Sequence, residues 1–211
     1  MTSPSIPVCT PPASSLHASS RAAPRWRLAE LSGRLVELAG WRSGAVYSFA
    51  LELVVDAQRS GETTVWVGRR SRSFFPADAQ ECGVDLGALP VVRLETAREM
   101  SVAADVLARS GAFGLIVVDL GGSRLERESV AMNVLARLAG LARKHETAIV
   151  LVTEKSPDAP SLGSVVSFRA DASFVRKSDG LFLCELAVPR DRLHPETWKQ
   201  VEVRRGPSGL S

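Results

Sequence analysis

The sequence predicts an α/β fold in which a mostly parallel, twisted β-sheet carries helices on both faces and ends in antiparallel edge strands at its C-terminal end. Short β-branched runs alternate with segments of helical periodicity, which is the order of right-handed βαβ crossovers. The first five of these runs are mostly apolar, as in strands that are buried on both faces. The helical segments then stop, and Ser178-Asp179-Gly180 separates two strand-like runs as a hairpin turn does.

Each element is predicted from its periodicity. Val46, Phe49 and Leu53 are spaced as on one buried helical face. Val201 and Val203 alternate with charged residues, as on an edge strand with one exposed face. The predicted helices are Val46–Ser60, Ala77–Cys82, Thr96–Ser110 and Glu126–His145. The predicted strands are Leu35–Ala39, Thr63–Gly68, Val91–Leu94, Leu115–Asp119, Ala148–Thr153, Ala172–Lys177, Leu181–Val188 and Trp198–Arg204.

One domain with two tails accounts for the 211 residues. Residues 1–24 are rich in Pro, Ser and Ala and lack periodic hydrophobicity, which predicts a disordered tail. The α/β domain is expected to span residues 25–206, followed by a short tail of residues 207–211. The apolar runs are too short to cross a bilayer, and no charged-then-apolar leader opens the chain. We therefore expect a cytoplasmic protein without a membrane partner.

Composition and charge narrow the possible classes of protein and of ligand further. A hydrophobic content of 45% and a charged content of 23% are typical of globular domains. Cys9, Cys82 and Cys184 are scattered and odd in number, so they predict neither a disulfide framework nor a metal site. The net charge of +3 includes arginine clusters that could bind DNA weakly, bind an acidic partner, or simply lie in solvent. These clusters are Arg21, Arg25 and Arg27; Arg69, Arg70 and Arg72; and Arg204 and Arg205.

A loop in the position of a phosphate-binding loop follows the first predicted strand. A nucleotide-binding loop there is glycine-rich, ends in Lys-Thr or Lys-Ser, and holds phosphates with backbone N–H groups. In this chain the lysine position holds Val46 and the hydroxyl position holds Tyr47. Asp119 ends a buried strand, where P-loop proteins place the aspartate that holds magnesium. The residues of this degenerate loop are Gly40, Ser43, Gly44, Ala45, Val46, Tyr47 and Ser48.

With these motifs the chain resembles the RecA recombinase family from about Gly33 to Gly206. Gly40 and Ser43 match the family's loop, whereas Ala45 stands where the family has its second glycine. The family's catalytic glutamate would fall at about Ser71, and Glu154 replaces its phosphate-sensing glutamine. The resemblance implies a RecA-like fold.

The departures from the family argue against ATP chemistry. Ala45 adds a Cβ where the backbone must approach phosphate, Val46 removes a cation, and Tyr47 replaces a small magnesium ligand with a ring. We therefore expect no enzymatic activity, no catalytic residue, no cofactor and no metal. The segments 120–125 and 155–165 are also too short to serve as the family's DNA-binding loops.

Among RecA-like proteins with a decayed nucleotide site, the chain most resembles ImuA. That resemblance implies a role in translesion synthesis and induced mutagenesis within the SOS response to DNA damage. The implied partners are RecA, an ImuB-like adaptor and an error-prone polymerase. Two alternatives remain: a cell-division inhibitor that binds FtsZ, as SulA does, or a divergent nucleotide-binding switch that uses backbone N–H groups alone.

The partner-binding candidates are tryptophans and arginines, because Trp and Arg are enriched at binding hot spots. Trp26 is expected either to contact a partner or to form a hydrophobic lid over the sheet edge, and Trp41 either to fill the vacated phosphate space or to face a partner. Trp66, in a strand, is expected in the core. Glu37 is expected to face an end of the sheet, with no role as a base. The partner-binding candidates are Trp26, Trp41, Arg42, Arg204 and Arg205.

Overall fold

The computed structural model describes residues 26–41, 43–70, 74–121, 130–177, 181–194 and 196–205. Its helices are α1 (Leu28–Leu31), α2 (Ala45–Arg59), α3 (Pro76–Glu81), α4 (Ala97–Ser110) and α5 (Met132–His145), with a 3₁₀ turn at Leu86–Ala88. Its strands are β1 (Leu35–Ala39), β2 (Thr64–Arg69), β3 (Val91–Leu94), β4 (Leu115–Asp119), β5 (Ala148–Thr153), β6 (Phe168–Arg176), β7 (Leu181–Asp191) and β8 (Trp198–Arg205).

The described strands form one sheet in the order β3-β2-β4-β5-β1-β6-β7-β8. All pairs from β3 to β6 are parallel, and the β6–β7 and β7–β8 pairs are antiparallel. The predicted fold class is therefore confirmed. Because parallel strands have their carboxyl ends at the same edge of a sheet, the residues that follow β1, β4 and β5 are neighbours.

Helices cover the two faces of the sheet unequally. On one face, α2 packs Phe49 and Leu53 against apolar residues of the central strands, and Trp26 joins this layer. On the other face, α4 and α5 bury Met100 and Leu138. Over the β6–β8 part of the sheet none of the described helices covers this second face, and Val203 there is 53% exposed. The last strand has one exposed face, but the valines lie on it and the charge of Arg204 does not, since Arg204 is 3% exposed.

Element boundaries differ from the prediction where charges interrupt a strand. Strand β6 begins at Phe168 instead of Ala172, and β7 continues to Asp191 instead of Val188. Arg169 and Asp171 look like loop residues in the sequence, yet they form a largely buried ion pair of 3.0 Å within β6. A charged side chain whose partner lies two residues away on the same strand face remains compatible with a buried strand.

Thr96 is the N-cap of α4 and not its first helical residue. Its side chain accepts a hydrogen bond from the Glu99 N–H at 3.1 Å, and the Thr96 N–H donates to the Glu99 carboxylate at 3.0 Å. This capping box fixes where the helix begins.

Parts of four predictions lie outside the described residues. These are the tails of residues 1–24 and 207–211, residues 126–129 of the predicted helix Glu126–His145, and the Ser178–Gly180 turn, although the strands that flank this turn do pair with each other. Within the described residues that helix begins later than predicted, at Met132, because Ala131 has an extended backbone. None of the helices that the structure describes is both long and apolar enough to span a bilayer.

Candidate functional site

The candidate site lies at the carboxyl ends of β1 and β4, which β5 separates. The Gly40 N–H donates to the Thr153 carbonyl at 3.0 Å, so the chain stays paired with β5 for one residue after β1 ends. A Cβ on Gly40 would lie 3.0 Å from the Val46 Cβ and 3.3 Å from the Ala172 carbonyl oxygen. The loop is therefore packed tightly at the position where its family resemblance places phosphate.

Backbone N–H groups at the start of α2 are turned toward the loop itself. The Ala45 N–H donates to the Ser43 hydroxyl at 3.3 Å, and the Tyr47 N–H donates to the Gly44 carbonyl at 3.1 Å. The Val46 N–H makes a longer contact of 3.5 Å with the Ser43 carbonyl. In a working phosphate loop such N–H groups point at the ligand. Here acceptors within the loop already occupy them.

The side chains of the loop are buried as well. Ala45 is fully buried and Val46 is 4% exposed, so aliphatic groups fill the position where the family has its lysine. Ser48 is 2% exposed on the core-facing side of α2. Placing a phosphate here would require moving these groups out of the core, which costs about 25 cal/mol for each Å² of apolar surface returned to water.

Tyr47 and Asp119 join the two halves of the site. The Tyr47 hydroxyl donates to the Asp119 carboxyl group, and the Gly121 N–H donates to its Oδ1 at 2.9 Å. The remaining oxygen, Oδ2, has no hydrogen-bond partner among the described residues, although Asp119 is only 1% exposed. The tyrosine hydroxyl therefore reaches the carboxyl group that would hold magnesium in a nucleotide-binding relative.

The electrostatics of Asp119 follow from this enclosure. Burial raises the pKa of the Asp119 carboxyl to about 7, and the negative charge of Glu154 adds to the increase. The hydrogen bonds from Gly121 and Tyr47 act in the opposite direction but do not cancel the effect. This carboxyl group would have to lose its proton before it could hold a divalent cation.

Glu37 was expected to face an end of the sheet, but the structure places it elsewhere. It lies at the middle of β1, fully buried, and accepts hydrogen bonds from the Ser161 hydroxyl at 2.6 Å and the Leu162 N–H at 2.9 Å. The Lys155 ammonium group lies 3.1 Å from its carboxylate. The segment after β5 is therefore held down on the sheet by one buried charge. A carboxylate inside an apolar strand is the sequence signal that could have indicated a buried polar partner for Glu37.

Arg169 holds the same segment from β6. Its guanidinium donates to the Ala159 carbonyl at 2.5 Å and also pairs with Asp171. Glu37 and Arg169 together fix residues 155–162, which we call the strap. The strap lies at the carboxyl end of β5.

The structure corrects two of the partner-binding candidates. Trp26 is 1% exposed, packs against Phe168 with ring centroids 5.9 Å apart, and donates its Nε1–H to the Phe49 carbonyl at 3.0 Å. Arg204 is 3% exposed, pairs with Glu52 at 2.7 Å and stacks over the Phe49 ring. Both are packing residues of the α2 layer, since an apolar ring and a paired charge are stable there.

The other candidates are placed differently. Trp41 is 54% exposed, so it remains free to face a partner. Arg42 and the side chain of Arg205 lie outside the described residues. Trp66 is 1% exposed, which confirms its predicted core position. Ser71 also lies outside the described residues, so the structure gives no position for the missing catalytic glutamate.

Trp41 borders a groove that sequence reasoning did not anticipate. The groove has a volume of about 650 Å³ and lies on the open face of β6–β8, beside the first residues of the strap. Its apolar lining includes Trp41, Pro157, Ala187, Pro189 and Trp198. Within the described ranges, no group of three or more His, Cys, Asp or Glu side chains is arranged to hold a metal ion.

The chain is similar in sequence to known proteins of one family. Residues 29–151 match the RecA N-terminal domain. The chain is 30% identical over 171 residues to Protein RecA of Thermus thermophilus, covering 69% of this chain and 50% of the relative. It is 26% identical over 137 residues to Protein RecA of Caldanaerobacter subterraneus subsp. tengcongensis, covering 58% and 40%. It is 24% identical over 162 residues to Protein RecA of Colwellia psychrerythraea, covering 65% and 47%. The chain thus spans half or less of the length of these relatives.

Proposed function

Because the chain belongs to the RecA family, we propose that it is a non-catalytic RecA-like accessory protein of the SOS response to DNA damage. In this role it acts in translesion synthesis and induced mutagenesis. Its proposed partners are RecA itself and an ImuB-type adaptor that recruits an error-prone polymerase. The proposal combines a retained fold with a site that no longer suits nucleotide.

One observation carries the proposal: the hydrogen bond from the Tyr47 hydroxyl to the buried Asp119 carboxyl group. For magnesium-ATP to bind, this bond must break, Asp119 must ionise in a buried position, and Val46 must leave the core. The N–H groups of the loop must also give up their internal acceptors. Each step costs free energy, and the chain offers no cation at position 46 in return.

A retained surface without a nucleotide cycle favours binding by mimicry. A RecA-shaped domain can occupy a subunit position at the end of a RecA filament, while the closed site and the fixed strap prevent further growth there. The strap supports this reading because Glu37 and Arg169 hold it on the sheet. A segment held in this way has lost the freedom that a DNA-lining loop requires.

The proposal is tested by titrating the full chain into RecA filaments on single-stranded DNA. We expect the filaments to shorten and the RecA ATPase rate to fall in proportion to the added protein. Trp41→Ala should weaken both effects, since Trp41 is the exposed candidate contact. Val102→Ala, an exposed apolar side chain on α4, is the matched control. Unchanged filaments and unchanged ATPase at saturating protein would refute the proposal.

Two other outcomes identify the alternatives. Micromolar magnesium-ATP binding in isothermal titration, abolished by Asp119→Ala, would establish a nucleotide-binding switch in place of a non-catalytic accessory protein. Direct binding to FtsZ without binding to RecA would establish a division inhibitor of the SulA kind. A pulldown from damaged cells with the intact chain should instead recover RecA and the polymerase adaptor.

A further inference from the structure

The outer edge of β8 is a second candidate binding surface, separate from the closed phosphate loop. Strand β8 spans eight residues, Trp198–Arg205, and ends the sheet on its antiparallel side. The strand at the opposite edge, β3, spans only four residues. Within the described ranges no strand pairs with the outer edge of β8, so its backbone N–H and C=O groups that point away from β7 have no strand to bond there.

One hydrogen bond fixes which backbone groups of β8 point outward. The Lys177 N–H donates to the Leu181 carbonyl at 2.7 Å, which makes these residues a hydrogen-bonded pair of the β6–β7 ladder. Hydrogen-bonded and non-hydrogen-bonded pairs alternate along an antiparallel ladder, so the backbone groups of Leu183 and Glu185 also point at β6. The residues between them bond β8. Through the β7–β8 register, the residues of β8 whose N–H and C=O groups point outward are Lys199, Val201 and Val203.

Strand β8 lacks the features that usually prevent an edge strand from pairing. It contains no proline, and its register with β7 is continuous over Trp198–Arg205, without a bulge. Its Lys199 ammonium group lies 2.7 Å from the Glu185 carboxylate. Its Arg204 guanidinium lies 2.7 Å from the carboxylate of Glu52. Because these cations are paired within the chain, an added strand meets little net charge at this edge.

The strand is complementary to a second copy of itself. Two identical strands can pair antiparallel about a twofold axis, which gives the same contacts to both copies. With Val201 on the axis, all of Trp198–Arg204 is paired. Gln200 then lies opposite the Glu202 of the second copy, and Lys199 lies opposite a valine, so no like charges face each other. The outward backbone groups of the two copies also meet, because Val201 lies opposite Val201.

Charge and length select this register over its neighbours. Moving the axis to Glu202 places two carboxylates directly opposite each other, which destabilises a ladder. Moving it to Gln200 keeps only Trp198–Glu202 paired. The one register that uses nearly the whole strand without opposing like charges is therefore the one centred on Val201, and its occupant is a second copy of the chain.

We propose that the chain forms a symmetric dimer in which the β8 strands of two copies pair antiparallel about Val201, so that the two sheets become one. Main-chain hydrogen bonds supply most of the binding, as in other interfaces formed by strand addition. The two Val201 side chains, each 46% exposed in the single chain, become cross-strand neighbours. Few side chains are buried, so we expect a dissociation constant on the order of 10–100 µM. This inference does not depend on the function proposed above.

The test measures the mass of the full chain by sedimentation equilibrium between about 5 and about 500 µM. We expect the mass to rise with concentration from the monomer value of 22.6 kDa toward twice that value. Amide hydrogen exchange, resolved by NMR at the two ends of the range, should slow about fivefold at Lys199, Val201 and Val203. Gln200 and Glu202, whose N–H groups bond β7, should change less.

Variants at position 201 make the test specific to the edge. Val201→Lys places an ammonium group opposite Glu185 of its own β7, which favours folding, but also opposite the same group of the second copy. Its dissociation constant should therefore rise about tenfold. Val201→Pro removes an outward N–H that β7 does not use and should abolish dimerisation. The matched control is Val175→Lys, a valine of β6 that is 59% exposed on the same face away from the edge, which should leave the dimer unchanged.

Circular dichroism verifies that each variant is folded. A mass that stays monomeric over the whole range would overturn the proposal, and so would a dimer that survives both substitutions at Val201. Equal dissociation by Val175→Lys would show packing of the open faces in place of edge pairing, which also overturns it. The same holds for slow exchange of the outward N–H groups in a chain of monomeric mass, since another segment of the chain would then cover the edge.

Discussion

Tyr47 and Asp119 show how one substitution changes the chemistry of a whole site. A threonine at position 47 would be too short to fill the space beside the strand ends, whereas the tyrosine ring fills it and its hydroxyl reaches Asp119. The carboxyl group that would hold magnesium in a nucleotide-binding relative is enclosed in this chain, and it is largely neutral below its raised pKa. The Asp119 carboxyl group contacts the Tyr47 hydroxyl of the same chain at the position where a relative's carboxyl group would contact a ligand.

Asp119→Asn tests this enclosure through the pH dependence of stability. The folded-state pKa of about 7 lies above the ordinary value of 3.8, so the folded chain holds a proton that the unfolded chain has lost. The contribution of Asp119 to stability is therefore fully present below pH 3.8, falls as pH rises from there to about 7, and is lost above that value. Relative to the wild type, Asp119→Asn should gain roughly 2–3 kcal/mol of unfolding free energy between pH 5 and pH 8. Urea denaturation at both pH values measures this difference.

The exposed carboxyl of Asp158 provides the control for this measurement. Asp158→Asn removes an acidic group without changing a buried site, so its stability difference from the wild type should not depend strongly on pH between these values. If the stability difference between Asp119→Asn and the wild type were equally independent of pH, Asp119 would be ionised in the folded protein over this whole range.

At the scale of the element, buried charges hold irregular segments against regular ones. Glu37 in β1 is the clearest case, because one carboxylate satisfies a hydroxyl, a backbone N–H and a lysine of the strap. The sequence shows a carboxylate in an apolar strand but not what it binds, since its partners lie more than a hundred residues away in the chain. Only the pairing of β1 with β5 and β6 brings them together.

Glu37→Ala should release the strap. It leaves the Lys155 charge, the Ser161 hydroxyl and the Leu162 N–H without their shared acceptor, which we expect to cost about 3–5 kcal/mol of unfolding free energy. Hydrogen exchange should accelerate in residues 155–162 before it does in the central strands. The matched control is Glu185→Ala, which removes the exposed pair with Lys199 and should cost less than 1 kcal/mol. Equal effects of the two variants would contradict the proposed role of Glu37.

Arg204 anchors β8 to α2, and its contribution should depend on pH. Burial raises the pKa of the Glu52 carboxyl to about 7, with Glu202 adding to the increase and Arg204 opposing it. The attraction between Arg204 and Glu52 is thus strongest above pH 7, where Glu52 is ionised. Arg204→Ala should therefore destabilise the protein more at pH 8 than at pH 5.5, as thermal unfolding at the two pH values can show. A larger loss at the lower pH would contradict this assignment.

At the scale of the whole molecule, the chain has a RecA-like sheet, and two of its surfaces matter for the proposed function. The phosphate loop is closed, and the open face of β6–β8 carries the groove and exposed apolar residues. We therefore propose that a partner is recognised at this exposed apolar surface and not in the phosphate loop.

Trp26 and Trp41 separate stability from recognition. Trp26→Ala should lower the unfolding free energy by about 3–5 kcal/mol, because it leaves a cavity in the core and removes the hydrogen bond that the Trp26 Nε1–H donates to the Phe49 carbonyl. Trp41→Ala should change stability little but weaken the effect of the chain on RecA filaments. Denaturation and filament assays on the same two variants test both expectations. A reversed assignment, with Trp41 structural and Trp26 dispensable, would contradict the packing described here.

The sequence by itself determined the fold class, most strand boundaries and the loss of the phosphate-binding residues, because periodicity and residue type are local properties. The tertiary structure alone decided that Trp26 and Arg204 are buried, that Glu37 holds the strap, and that Tyr47 reaches Asp119. These contacts join residues far apart in the chain, and a residue's type does not specify which distant groups the sheet order brings beside it. Burial and pairing follow from that order, so they could not be predicted from any single segment.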